Sequence, residues 1–149
     1  MSRAKNSGVA HPDYPGIGVG AVVWRDDKVL LVKRKNPPSQ GQWALPGGKQ
    51  QWGETIFQAA VREVREETGV EITPLGIITA IDAITADKAG KVEYHYTLVE
   101  VAAEWKEGEA KAADDALAVQ WVLAADVGLI CEWPEVARVV RLSMLQRVL

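Results

Sequence analysis

The order of elements along the chain predicts a mixed α/β sandwich in one domain. Strand-like runs come first, one amphipathic helix follows in the middle, more strands come next, and a second helix closes the chain. Strands and helices do not alternate regularly, so a doubly wound parallel sheet is not expected. At 149 residues the chain can build one substantial core. With 48% hydrophobic and 25% charged residues, its composition is that of an ordinary globular domain, and disorder is not expected.

Each element has its own local reason. Residues 1–16 are polar and punctuated by Pro and Gly, and read as a tail or loop ahead of a single domain over 17–149. Ile17–Trp24 is apolar and β-branched, "RDDK" makes a hairpin turn, and Val29–Arg34 is the returning strand. "KNPPSQGQ" is a loop, and "WALPGGK" a short extended piece broken at Pro46-Gly47-Gly48. From Thr55 to Thr68 the apolar residues Ile56, Ala60 and Val64, flanked by Phe57 and Val61, fall at helical spacing. Thr55 suits the N-cap and Gly69 the C′ position. "VEIT" and "GIITAIDAIT" read as two strands separated by Pro74-Leu75-Gly76, and "DKAGK" as a turn. Val92–Trp105 is the longest strand, "KEGEAKAADDA" an acidic loop, and "LAVQWVLA" another strand. A terminal helix begins near Pro134, a residue suited to a first turn.

Charge and cysteine content narrow the function classes. The net charge is −3 and no basic stripe is present, so a nucleic-acid polymer is not the expected partner. Small phosphorylated ligands remain open, because a metal can supply positive charge. Cys131 is the only cysteine, and reads as a small apolar filler. No apolar run resembles a signal peptide or a membrane span, and a reducing cytoplasm is the simplest location.

The central helix carries an electrostatic anomaly. Glu63, Glu66 and Glu67 lie near its C-terminal end, the negative pole of the backbone dipole. Glu63 is three and four positions from the other two, so three like charges share one face with Arg62 beside them. A solvated charged face paired with Arg62 and Arg65 is the ordinary explanation of such a run. The other is a cation among the carboxylates. All-oxygen ligands favour a hard ion, Mg²⁺ or Mn²⁺, which also binds substrate phosphates. The glycines of "LPGGKQQWGE" let backbone approach a ligand closely, and their carbonyls can serve such an ion.

Gly48, five residues, Glu54, seven residues, then Arg62-Glu63-Val64-Arg65-Glu66-Glu67-Thr68-Gly69-Val70 resembles the box of the Nudix family at every specified position. Seven positions demand one residue type and two an aliphatic one, so chance agreement at one start is on the order of one in a billion. The box covers Gly48–Val70, and "QWALPGG" and "VQWVLAADV" also look like the family's flanks.

The resemblance implies an α/β/α sandwich around a mixed sheet, and roles for individual residues. Glu63, Glu66 and Glu67 match the metal-binding glutamates, and Glu63 also a position used as general base in some members. The carbonyl of Gly47 or Gly48 would add a ligand. Arg62 matches the arginine that orients the cluster, and Glu54 a supporting glutamate. Fainter candidates for substrate contact are Arg34 beside the Pro-rich loop, Trp43 as a stacking ring, and Asp114 or Asp115 from the acidic loop. The implied reaction is Mg²⁺-dependent hydrolysis of a nucleoside diphosphate linked to a group X, with Mn²⁺ able to substitute. Water would attack one phosphorus and release a nucleoside monophosphate.

The box handles the diphosphate and is silent about X. Where many ADP-ribose enzymes carry a proline this chain has Thr85 and Ala86, and Lys88 stands near the tyrosine of dinucleoside polyphosphate enzymes. The reading leans to ADP-ribose or a similar nucleotide sugar. A MutT-like (d)NTP pyrophosphohydrolase is the alternative, and a non-catalytic nucleotide-binding module a different class. The long strand and the apolar residues Val136, Val139, Val140, Leu142 and Leu145 fit a homodimer, and fit core packing equally well.

Overall fold

The computed structural model describes residues 14–147. Residues 1–13, most of the expected tail, lie outside the described residues. Strand β1 (Gly16–Arg25) and β2 (Lys28–Arg34) form the expected hairpin, with Asp26 taking the left-handed turn position at φ 57°. They pair only at Trp24↔Val29 and Arg25↔Lys28, then splay apart. The "WALPGGK" segment fills the wedge as two short strands. β3 (Trp43–Ala44) pairs with β2, and β4 (Gly47–Lys49) with β1. Between them Pro46 has no N–H to offer, and its carbonyl accepts from the Ala21 N–H at 3.0 Å.

β5 (Glu71–Ala86) and β6 (Val92–Glu107) form one long antiparallel hairpin. The expected break at Pro74 is not a break: the strand runs on, with Pro74 opposite Ala103 and a register shift before Gly76. β5 is the outer strand of the order β3-β2-β1-β6-β5, and an edge tolerates the missing donor. β6 lies parallel to β1 from Gly16↔Tyr96 to Trp24↔Glu104, and β7 (Ala116–Leu123) pairs antiparallel with β2, so the sheet is mixed.

Helix α1 (Ile56–Thr68) covers one face. A capping box starts it: the Gln58 N–H donates to Thr55 Oγ1 at 3.1 Å and the Thr55 N–H to Gln58 Oε1 at 2.9 Å. Gly69, at φ 76°, ends it. Ala59, Ala60 and Val64 pack on Val19, Ala21, Val23, Leu30, Val101 and Ala103. The opposite face carries α2 (Val127–Ile130) and α3 (Pro134–Arg147). There Val127, Cys131, Val136, Val139 and Val140 pack on Val22, Trp24, Val29, Leu31 and Val122. The result is an α/β/α sandwich, and Cys131 is the apolar filler expected. The single turn α2 was not expected; it is too short to show a helical period. Of the apolar α3 residues, Leu145 is 64% exposed and takes no part in the core. Among the described residues no helix is long and apolar enough to cross a membrane.

Candidate metal and phosphate site

Strand β4 brings the glycine loop beneath the C-terminal half of α1. The Gly47 N–H donates to Glu67 Oε1 at 2.7 Å. Gly48 lies against Glu63: a Cβ there would stand 2.3 Å from Glu63 Oε2. At Gly47 a Cβ would stand 2.2 Å from the Val19 carbonyl oxygen, which is backbone and cannot step aside. Close approach of backbone therefore requires Gly47, and Gly48 leaves the space that the Glu63 carboxylate occupies.

Arg62 organises the rest. Its Nε and Nη2 donate to the two oxygens of Glu54 at 2.5 and 2.9 Å, a bidentate pair. Nη2 also donates to the Lys49 carbonyl at 2.9 Å, and Nη1 to Glu63 Oε1 at 2.7 Å and Glu66 Oε2 at 3.2 Å. The Gln51 N–H donates to Glu54 as well, so Glu54 ties the loop to the helix. Hydrogen bonding from Arg62 holds the Glu54 carboxyl below its ordinary range.

The helical glutamates differ in environment. Burial pushes the Glu63 carboxyl up, opposed by the hydrogen bond from Arg62. Glu67, only 7% exposed, is pushed up to about 7. Burial is the main cause, opposed by the Gly47 N–H and reinforced by the charge of Glu63. Glu66 is the most exposed of the three.

The acidic loop is laid along the end of α1. The Ala113 N–H donates to the Glu67 carbonyl and the Lys111 N–H to the Thr68 carbonyl, each at 2.9 Å. These bonds satisfy helix-end carbonyls and bring Asp115 to the cluster. Its charge raises the carboxyls of both Glu63 and Glu67. Asn36 Nδ2 donates to Asp115 Oδ1 at 3.0 Å, and the Lys35 N–H to its carbonyl at 3.0 Å. Arg34 acts on Glu67 in the opposite sense, its positive charge favouring the carboxylate. Of the fainter candidates, Arg34 and Asp115 thus reach the cluster electrostatically. Asp114 sits in the adjoining turn at φ 49°. Trp43 packs half-buried against the α3-side core, the face away from α1. Two groups with no signal in the sequence support the site, the Asn36 side chain on Asp115 and the Lys49 carbonyl on Arg62, because contacts between distant segments place both.

Among the described residues, no three acidic or imidazole side chains are gathered ready to hold an ion. Arg62 draws Glu63 and Glu66 to itself, and the Gly47 N–H holds Glu67. These bonds engage one oxygen of each carboxylate. The donor set nevertheless fits a hard divalent cation: all oxygen, partly dehydrated, and with carboxyls whose mutual repulsion a positive charge would relieve.

Residues 14–142 match the family model described as the NUDIX domain. Over 103 residues the chain is 38% identical to the ADP-ribose pyrophosphatase of Methanocaldococcus jannaschii, a match covering 69% of this chain. The chain spans 59% of that relative's length. Among solved structures, a MutT NUDIX hydrolase from Burkholderia pseudomallei aligns with TM-score 0.74 at 29% identity, covering 87% of this chain and 98% of that one. A bifunctional NMN adenylyltransferase/ADP ribose pyrophosphatase from Francisella tularensis, complexed with AMP and a Mn ion, aligns with TM-score 0.66 at 28% identity. That match covers 92% of this chain and 43% of the other.

Proposed function

This chain belongs to the Nudix family, and on that premise we propose that it hydrolyses the diphosphate linkage of a nucleoside diphosphate bearing a group X, with ADP-ribose or a similar nucleotide sugar as substrate. The observation that carries this reading is the pair of largely buried carboxylates, Glu63 and Glu67, seated on Gly48 and Gly47. Glu63, Glu66, Glu67 and the carbonyl of Gly47 or Gly48 would hold Mg²⁺, or Mn²⁺ in its place. When bound, such an ion neutralises the diphosphate and lowers the pKa of a coordinated water.

The chain's own groups supply the remainder. Arg62 fixes the carboxylate positions and is itself fixed by Glu54 and the Lys49 carbonyl. Asp115 adds negative charge that strengthens cation binding, and Arg34 can balance phosphate charge. Attack by water forms one P–O bond and breaks the bridging P–O bond. The proton passes to a carboxylate of the cluster, with Glu63 the candidate base. The products are a nucleoside monophosphate and phosphorylated X.

The Methanocaldococcus relative favours ADP-ribose, and the likeness to a MutT hydrolase from Burkholderia supports the MutT-like alternative, for which a (d)NTP is the expected substrate, as the second reading. The test is a panel of ADP-ribose, nucleotide sugars, dinucleotides and (d)NTPs with Mg²⁺ and with Mn²⁺. Release of nucleoside monophosphate from at least one is expected. Silence across the panel leaves a nucleotide-binding module and removes the hydrolase. The proposal includes a cytoplasmic homodimer: Ile77 and Ile84 on the outer strand β5 are 51% and 56% exposed. A monomer mass by light scattering would remove the dimer.

A further inference from the structure

On the face that carries α3, β1 presents three glycines at alternate positions, Gly16, Gly18 and Gly20. A Cβ at each would stand 2.8 Å from the Tyr96 ring, 2.6 Å from the Leu98 side chain and 2.5 Å from Glu100 Oε2. The β6 side chains therefore lie down over β1, in space that any larger residue would take. The row closes as it runs: Tyr96 and Leu98 are half-buried, Glu100 is 5% exposed and Ala102 is fully buried.

Glu100 is thus the last polar group at the closed end of this row. Its Oε2 is buried with no hydrogen-bond partner. Burial alone pushes its carboxyl up to about 7; no neighbouring charge or donor contributes. A buried carboxyl without a partner is costly, and a leucine would pack there at no such cost. The hydrolytic cluster makes no use of it. The cross-strand rows nevertheless tie it to that cluster. Gly20 pairs with Glu100 on one side and with Gly47, which holds Glu67, on the other. Gly18 pairs with Leu98 and with Lys49, whose Nζ lies 5.6 Å from the centre of the Tyr96 ring. Two strand spacings, about 10 Å, separate the Glu100 backbone from that of Gly47.

We propose that Glu100 is a specificity-determining residue, whose carboxylate accepts a hydrogen bond from an N–H or O–H of the nucleoside half of the substrate, entering past Tyr96. This rests on the hydrolase reading above. The donor is either the exocyclic amine of the base or a ribose hydroxyl, and matched ligands separate them. The experiment measures kcat/KM for ADP-ribose and its hypoxanthine and 2′-deoxyadenosine analogues, with calorimetric Kd values for AMP, IMP and 2′-deoxy-AMP. Wild type, E100Q and E100L are compared. Wild type is expected to prefer the donor-bearing member of one pair by about tenfold or more, because the unpaired acceptor penalises the other member. E100Q should change that ratio at least about fivefold and E100L bring it within about twofold of unity. A merely structural carboxyl would shift all ligands alike. Ratios in wild type near unity, or in E100Q unchanged from wild type, overturn the proposal. Should E100L fail to fold, E100Q decides alone. Wild type that binds AMP selectively but hydrolyses nothing defeats the hydrolase reading and leaves this one standing; turnover with unchanged ratios defeats this one only.

Discussion

Replacing Gly48 by alanine should separate catalysis from folding, and Gly47 provides the contrast. The new Cβ at 48 would stand 2.3 Å from Glu63 Oε2, 2.4 Å from its Cδ and 2.6 Å from its Oε1. Contacts under 3.0 Å are essentially never seen, so the carboxylate must move by about 1 Å. Glu63 is a side chain and can turn away, so the fold survives. The move lengthens the 2.7 Å bond from Arg62, and relieves part of the dehydration of Glu63. These effects oppose each other, and the net change in stability is expected within about 1 kcal/mol, or about 2–4 °C in Tm. A misplacement of about 1 Å in a reacting group can cost 10²-fold, and that is the loss of kcat/KM expected. At 47 the added Cβ meets the Val19 carbonyl at 2.2 Å and Gly20 Cα at 2.8 Å, both backbone. β4 must part from β1, so Gly47→Ala should cost about 3 kcal/mol, or about 6–12 °C. Thermal melts and steady-state kinetics on both variants measure the contrast. Gly48→Ala with full kcat/KM, or with a fall in Tm as large as that of Gly47→Ala, would refute the reasoning.

The other expectations follow from charge. In the metal-free protein, Glu67 has a folded pKa of about 7, raised above 4.5. Its contribution to stability is complete below about 4.5 and is lost as pH rises through 7, a loss of at most about 3 kcal/mol. Glu67→Gln should flatten melts recorded in chelator between pH 5 and 8, leave the variant no less stable than wild type at pH 8, and cut turnover at least about tenfold; a lower Tm at pH 8 would assign Glu67 a structural role. Glu100 titrates in the same direction, so Mg²⁺ should restore the share lost at Glu67 and leave that at Glu100. Asp115→Asn should lower kcat or weaken Mg²⁺ about tenfold, while Asp114→Asn changes neither, since asparagine accepts a positive φ; equal effects would remove Asp115 from the site. Arg62→Lys retains the charge but not the fork that reaches Glu54, Lys49, Glu63 and Glu66, so kcat/KM should fall about 10- to 100-fold; kinetics within twofold of wild type would show that charge alone suffices.

The sequence by itself determined the parts set by local periodicity and spacing. The helix between Thr55 and Gly69, its caps, the β1–β2 turn and the carboxylate row at Glu63, Glu66 and Glu67 were legible, because helical geometry turns spacing into position. The order of elements was enough for a mixed α/β sandwich, and the α/β/α layering came only with the resemblance of the box. Contacts between distant segments were not legible. That Gly47 donates to Glu67 and that Trp43 packs on the α3 face depend on how the wedge between β1 and β2 is filled, and that Asp115 acts on Glu63 depends on the acidic loop laid along the end of α1. Pro74 read as a break because local preference cannot tell an edge strand from an inner one, and the order of strands in the sheet decides that. Glu100 stood in "LVEVAA" as one acid in an apolar run; only its place over Gly20 makes it an unpartnered carboxyl in the interior. Short-range spacing sets which residues share a face, and long-range pairing of the sheet sets what that face meets.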